Sequence, residues 1–102
     1  MRPPANYTKI INRTRYSTAT ATLIAGDDFW DGHNFERQGT NCFLYKTPKG
    51  NFFFVNLTQW QGERDTLEPT TLDEAVEAYE SNLTEHYVKY SEAFPEVTVQ
   101  DA

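Results

Sequence analysis

The chain has 102 residues, 15% of them aromatic, and a formal net charge of -6, so it can build one core from large side chains. We expect a single domain over 1–102, with a frayed N-terminus at 1–6 and a loose C-terminal tail at 96–102. No apolar run approaches the ~18 residues of a transmembrane helix, and the opening residues lack the apolar stretch of a signal peptide. These features exclude a membrane-spanning helix and favour a cytoplasmic protein, as does the single cysteine, Cys42, which allows no intramolecular disulfide.

Charge is divided between the two parts of the chain. Residues 1–62 hold seven Lys or Arg against four Asp or Glu, whereas residues 63–102 hold two against eleven. We therefore expect an electrically two-sided molecule whose acidic side repels nucleic acid and attracts basic protein surfaces. The alternative is that the acidic residues only keep a helix surface solvated.

The first predicted element covers residues 7–16, where β-branched and aromatic residues mix with basic ones that share one parity. This pattern predicts one half-buried strand, bent near residues 11–12. Residues 17–25 allow two interpretations, because Ser17 could cap a short helix while the Thr/Ala alternation is typical of a strand. We favour the strand.

Residues 27–39 form the least regular part of the sequence, since acidic residues, Asn and Gly that favour turns recur throughout it. The same stretch contains aromatic residues that a solvated linker would not need, so we predict a loop anchored to the body of the protein. Such loops often carry function. The anchoring residues are Phe29, Trp30 and Phe35.

The strongest local pattern lies over residues 41–57, where two strand-like runs flank residues 47–50. Pro48 fits the second position of a type I turn, and Gly50 permits the positive φ needed on leaving it. We predict a β-hairpin. Its second run, residues 52–55, is apolar on both parities, which indicates either a strand covered on both faces, with a helix as the preferred cover, or an exposed aromatic face.

A polar connection over residues 58–68 leads to a predicted helix over 71–81. Thr71 and Glu74 have the spacing of a capping box at its start. Apolar residues follow at the helical period and define a buried face, which consists of Leu72, Ala75, Val76 and Tyr79.

The last part of the chain allows a strand over 85–90 followed by a helical turn over 91–94 that Pro95 stops, or a single helix over 84–94. We favour the strand. Together these elements predict an α+β fold, in which a small antiparallel sheet is built around the central hairpin and one amphipathic helix packs on a face.

Motifs for catalysis are absent. The sequence contains no phosphate loop, dinucleotide-binding glycine pattern, His-Glu-x-x-His or nucleophile elbow. Cys42 lies in a predicted strand among large apolar residues, where a buried thiol is inert. We therefore expect no enzyme activity and no cofactor.

The 27–36 loop gathers carboxylates and an imidazole, but its spacing fails the calcium-loop pattern because Phe29 and Trp30 occupy ligand positions. We accordingly predict no metal site, and a small enzyme or metal protein using this loop stays an alternative. Asp31, His33 and Glu36 are instead candidate partner-binding residues of the loop.

Two surfaces could bind a partner. Asp73, Glu77 and Glu80 are near neighbours on the outside of the predicted helix, where a row of carboxylates can occupy a protein groove that evolved for phosphates. The second surface combines cations with aromatic rings on the sheet, as in proteins that bind single-stranded nucleic acid. Its candidate residues are Arg13, Arg15, Tyr45 and Lys46.

Several segments also carry a resemblance to known sequences. They are residues 16–25, Trp30-Asp31-Gly32-His33-Asn34 with the following Phe35-Glu36-Arg37-x-Gly39, residues 44–53, residues 58–66 and Glu74-Ala75. Over most of residues 9–95 the chain resembles small open reading frames that recur in bacterial and archaeal genomes, phages and plasmids. The resemblance transfers no catalytic or binding residue. Small acidic proteins of mobile elements that lack enzyme motifs resemble, as a class, the anti-CRISPR antagonists of host defence.

We thus expect a non-catalytic acidic binding protein, most specifically a mobile-element inhibitor that blocks a nucleic-acid-binding surface of a host defence complex. The expected partner is a protein, such as a Cas or other host defence protein, and direct binding of nucleic acid is not expected. The alternative is a single-stranded nucleic-acid-binding module that uses the basic and aromatic sheet face.

Overall fold

The computed structural model describes residues 3–27, 40–58 and 64–102. Within these ranges the chain forms a mostly antiparallel β-structure with two short helices, which confirms the predicted α+β class. None of the helices in these ranges has the length and apolarity needed to cross a membrane. The elements in chain order are β1 (Thr8–Ile11), β2 (Thr14–Ser17), β3 (Thr22–Gly26), β4 (Thr40–Lys46), β5 (Phe52–Thr58), β6 (Thr66–Thr70), α1 (Leu72–Ser81), β7 (Glu85–His86) and α2 (Tyr90–Ala93).

The main sheet has five strands in the order β6-β5-β4-β3-β7, and each pair of neighbours is antiparallel. β4 and β5 pair over their whole length, with Phe43 opposite Val55 and Tyr45 opposite Phe53. Residues 47–51 join them through a tight turn, in which the Gly50 N–H donates to Thr47 O at 2.9 Å. Gly50 has a φ of 90°, a value that side chains disfavour.

The sheet carries apolar side chains on both faces, and each face has its own cover. Helices α1 and α2 cover the side of Leu44 and Phe52, whereas β1 and β2 cover the side of Phe43, Tyr45 and Phe53. The molecule therefore has three layers. The doubly apolar run at residues 52–55 is a strand covered on both faces, by a helix on one side and by a second small sheet on the other.

The second small sheet corrects the single strand predicted over residues 7–16. β1 and β2 form a hairpin, in which Ile11 pairs with Thr14 and the two loop residues Asn12 and Arg13 have φ values of 52° and 65°. This is the geometry of a type I′ turn. Because the loop contains no Gly, the sequence pattern does not predict that the chain reverses there.

Other predicted elements change in extent. Residues 18–21 form a turn before β3, so the predicted 17–25 strand is shortened to Thr22–Gly26. The predicted 58–68 connection contains the start of β6, an edge strand that pairs with β5. The predicted 85–90 strand is only two residues long and is followed by α2. The 27–39 loop lies almost entirely outside the described residues.

Helix α1 begins where its cap was predicted. Thr71 is the N-cap, and its side-chain oxygen accepts a hydrogen bond from the Glu74 N–H at 3.2 Å. The reciprocal half of the capping box is replaced, because Thr70 Oγ1 donates to the Glu74 carboxylate at 2.9 Å. The buried residues of the helix are Ala75, Ala78 and Tyr79.

Candidate functional site: an acidic row beside a groove

The outer side of α1 presents three exposed carboxylates. Asp73, Glu77 and Glu80 stand at spacings of four and three residues, so they lie one above another on one side of the helix. Ala75 and Tyr79 are buried on the opposite side. We call these three residues the acidic row. Because none of them packs in the core, their charge is available to a partner.

A groove of about 710 Å³ adjoins the acidic row. It runs between α1, α2 and the C-terminal segment, and we call it the C-terminal groove. Val99, which lines the groove, is 70% exposed. The residues that line the groove are Val76, Glu80, Tyr90, Ser91, Val97, Thr98, Val99 and Gln100.

Glu80 belongs to both features and is fixed in place. The Tyr90 hydroxyl donates to Glu80 Oε2 at 2.7 Å, and this hydrogen bond, with burial and nearby charge as further causes, raises the pKa of Tyr90. The bond ties the acidic row on α1 to the first residue of α2. One carboxylate therefore stands at a defined position on the rim of the C-terminal groove.

Beneath the groove, an aromatic cluster sets the positions of α1 and α2. Phe94 is fully buried and contacts the Tyr79 and Tyr90 rings edge-on, each at 5.3 Å between centroids. His86 stacks on Tyr79 at 3.8 Å, and its Nε2 lies 2.9 Å from the Tyr79 backbone oxygen, to which it donates. The sequence pattern did not indicate this stacking, since it joins a helix to a two-residue strand.

The predicted basic and aromatic face does not exist as one surface. Tyr45 is only 2% exposed, and its ring packs parallel to Phe53 at 5.2 Å. Lys46 lies on the helical side of the sheet, where its Nζ donates to Ala93 O at 2.9 Å. A buried ring cannot stack on a base, so Tyr45 is excluded from that role in this fold. Arg13 and Arg15 remain together on the opposite side of the sheet.

The predicted partner-binding residues of the loop, Asp31, His33 and Glu36, lie outside the described residues. Over residues 3–27, 40–58 and 64–102, no group of three or more His, Cys, Asp or Glu side chains could hold a metal ion.

Cys42 is half-buried in β4 beside a small pocket that also contains Asp27 and Glu68. Burial, with the negative charges of these two carboxylates, raises the pKa of the thiol from 9.0 to about 12. The thiol is therefore protonated at neutral pH and is a poor nucleophile, as expected for a structural cysteine.

Comparison with known proteins identifies no relative from which a function could be transferred. No family model matches the chain, and no curated protein or solved structure matches it. Function is therefore inferred from the surfaces of the chain itself.

Proposed function

We propose that the protein is a non-catalytic binding protein whose acidic row and C-terminal groove together hold a basic surface of another protein. The observation that carries the proposal is the shared position of Glu80, which belongs to the exposed carboxylate row and also lines the groove. An apolar groove with a carboxylate rim differs from a merely solvated helix face, because it offers a place to bury apolar atoms beside fixed negative charge.

Lys and Arg side chains match this arrangement. Their aliphatic stems can lie against Val76 and Val99, while their charged ends reach the carboxylates at the rim. Arg adds paired hydrogen bonds to a carboxylate. The occupant to which we commit is therefore a protein segment in which Lys and Arg are concentrated.

The charge distribution supports the same kind of partner. Residues 64–102 contain ten Asp or Glu residues but only two Lys or Arg residues, Arg64 and Lys89. A field of this sign repels nucleic acid and accelerates the approach of basic protein surfaces.

The scaffold suits a binding role as well. The proposal takes α1 as the amphipathic helix of a sheet organised around the β4–β5 hairpin, so that the acidic row stands on a packed helix instead of a loop. A row on such an element keeps its spacing when the partner binds, which limits the entropy lost on association.

The most specific form of the proposal is an inhibitor from a mobile element, of the anti-CRISPR type, that blocks a nucleic-acid-binding surface of a host defence complex. Such surfaces concentrate Lys and Arg to bind phosphates, so a carboxylate row can compete for them. The partner would then be a Cas or other host defence protein.

The test compares two charge-matched variants. Asp73→Lys/Glu77→Lys reverses two members of the acidic row, and Glu68→Lys/Asp101→Lys makes the same change in charge at exposed carboxylates outside the row and the groove. Both variants should fold within about 1 kcal/mol of the original chain, because none of the four side chains is buried.

Each tagged variant is then used to capture proteins from nuclease-treated lysate of a host that carries a CRISPR system. We expect the original chain and the control variant to capture the same amount of one defence protein, and the row variant to capture at least tenfold less of it. This difference in captured protein should become smaller as salt is added. Equal capture by the folded row variant at low salt, or capture that disappears with nuclease, would contradict the proposal.

A further inference from the structure

A second groove lies on the opposite side of the sheet, between β2 and the residues that join β4 to β5. It has a volume of about 380 Å³, and three cationic side chains line it: Arg13, Arg15 and Lys49. We call it the basic groove. Its other lining residues are Thr14, Tyr16, Ser17, Thr20, Thr47, Pro48 and Asn51.

Within the part of the chain that the structure describes, the cations of the basic groove have no charged partners. Across the described ranges, no carboxylate lines the groove, and the side chains of Arg13, Arg15 and Lys49 form no ion pair or hydrogen bond with another described residue. This is notable in a chain with 15 acidic and nine basic residues, because carboxylates are abundant elsewhere on the surface. Three uncompensated positive charges around one concave site favour an anionic ligand.

Hydroxyl groups in the basic groove also favour an anion. Ser17 is only 9% exposed, and its Oγ accepts hydrogen bonds from Thr8 Oγ1 at 3.0 Å and from the Ala19 N–H at 3.2 Å. Thr47 Oγ1 likewise accepts from the Asn51 N–H at 3.0 Å. Because Thr47 Oγ1 accepts from an N–H and donates to no other described residue, its proton is available to an acceptor in the groove.

Arg13 reaches the basic groove from a backbone conformation that favours glycine. Its φ of 65° lies in the left-handed region, where a side chain costs about 1 kcal/mol or more. Asn12, its neighbour in the same turn, tolerates that region better. A long cationic side chain at the costlier position is explained if its guanidinium has a role in the groove.

The acidic row does not cancel this positive charge. Packed layers lie about 10 Å apart, so α1 stands on the order of 20 Å from the β1–β2 layer, which exceeds two Debye lengths of about 8 Å at physiological ionic strength. A ligand at the basic groove therefore experiences mainly the local cations.

We propose that the basic groove binds a phosphate group, carried either by a free nucleotide or by a single nucleic-acid strand. Arg13, Arg15 and Lys49 supply the positive charge, and the Thr47 hydroxyl donates to a phosphate oxygen. Tyr16, which is half-buried, lines the same groove, so the base attached to the phosphate would lie beside it. This site is separate from the acidic row and goes beyond the proposed function.

The experiment measures binding by amide chemical shifts with three probes: pyrophosphate, adenosine monophosphate and a ten-nucleotide oligothymidine. The groove variant is Arg15→Gln/Lys49→Gln. The control, Lys9→Gln/Lys89→Gln, removes the same charge at exposed lysines that do not line the groove. Neither variant alters the acidic row, so failure here leaves the proposed function untouched.

We expect all three probes to shift amides of β2 and of residues 47–51, and we expect the groove variant to bind at least tenfold more weakly than the control. Mononucleotide affinity within tenfold of the oligonucleotide's supports a nucleotide source of the phosphate. Tighter oligonucleotide binding, falling roughly 100-fold between about 20 and about 200 mM salt, supports a strand, because three phosphate contacts release counterions. Absence of shifts for every probe at low salt, or equal weakening in the control, would overturn the proposal.

Discussion

The two covers of the central sheet differ in how much they contribute to the core. The helical cover, residues 71–94, supplies buried apolar side chains of its own, whereas the hairpin cover, residues 7–17, supplies only half-buried ones among the described residues. On the helical side the buried side chains from the cover are Ala75, Ala78, Tyr79, Leu83, Ala93 and Phe94. On the hairpin side, every buried member of the cluster belongs to β4, β5 or β6.

This difference separates stability from surface chemistry. The helical cover is held by packing, so the exposed side of α1 can carry the acidic row without loss of the core. The hairpin cover relies more on a few hydrogen bonds, such as the Thr18 N–H to Tyr7 O at 2.9 Å and the Tyr7 hydroxyl to Asp65 O at 3.0 Å. Ile10 on its outer side is 63% exposed.

The largest expected effect is on the helical side. Phe94→Ala should lower the free energy of unfolding by about 3–5 kcal/mol, because a fully buried ring is removed from contact with Phe52, Tyr79 and Tyr90. Tyr16→Ala, the matched truncation in the hairpin cover, should cost only about 1–2 kcal/mol, since its half-buried ring contacts Phe53 edge-on. Urea unfolding measures both. Equal losses would show that the two covers contribute alike.

A substitution in the turn between β4 and β5 should weaken the packing of both covers, because both covers pack on these strands. Gly50→Val should cost about 1–3 kcal/mol, since Val is forced to a φ of 90°. No described atom lies within 4 Å of an added Cβ, so the cost is conformational and not a clash. Gly50→Asn should lower the free energy of unfolding by less, because Asn tolerates a positive φ. Thermal melting checks the difference, and identical melting of Val and Asn variants would refute this account of the turn.

The chemistry of Cys42 tests burial on the helical side of the sheet. With the pKa of its thiol raised to about 12, alkylation by iodoacetamide at pH 8 should be at least tenfold slower in the folded protein than in urea. The unfolded thiol loses its proton from about pH 9 upward, while the folded one retains it, so the folded state should lose stability as pH rises from 9 to 12.

Cys42→Ala should reduce this alkaline loss without abolishing it. Burial also raises the pKa of Tyr79, so this side chain continues to disfavour the folded state as the pH increases. A folded protein alkylated as fast as the unfolded chain would show that the thiol is accessible and ionised.

The smallest effect, of opposite sign, is expected at the tip of the hairpin cover. Arg13→Gly should raise the free energy of unfolding by about 0.5–1 kcal/mol, because relief of the left-handed conformation outweighs the added freedom of the unfolded chain. The same change should weaken pyrophosphate binding. A destabilised Arg13→Gly variant would mean that the arginine contributes packing or hydrogen bonding to the fold.

Part of this architecture could be predicted from short stretches of sequence. The Thr71 cap follows from the spacing of a capping box. The exposure of Asp73, Glu77 and Glu80 follows from the helical period, and both patterns extend over only three or four residues. The C-terminal groove could not be predicted, because it joins Val76 to Val97 and Val99 across about twenty residues of chain. Hairpin β1–β2 was missed for a local reason, since its turn uses Asn12 and Arg13 without glycine.

The sequence by itself determined the α+β class, the start of α1 and the division of charge along the chain, because these depend on composition and on hydrogen bonds between near neighbours. Only the tertiary structure decided which face each strand presents to which cover. A register shift between Leu23 and Ala25 places Leu23 beside Tyr45 on the hairpin side and Ala25 beside Leu44 on the helical side. Such pairings depend on contacts between residues some twenty positions apart, whose free energies no local pattern encodes.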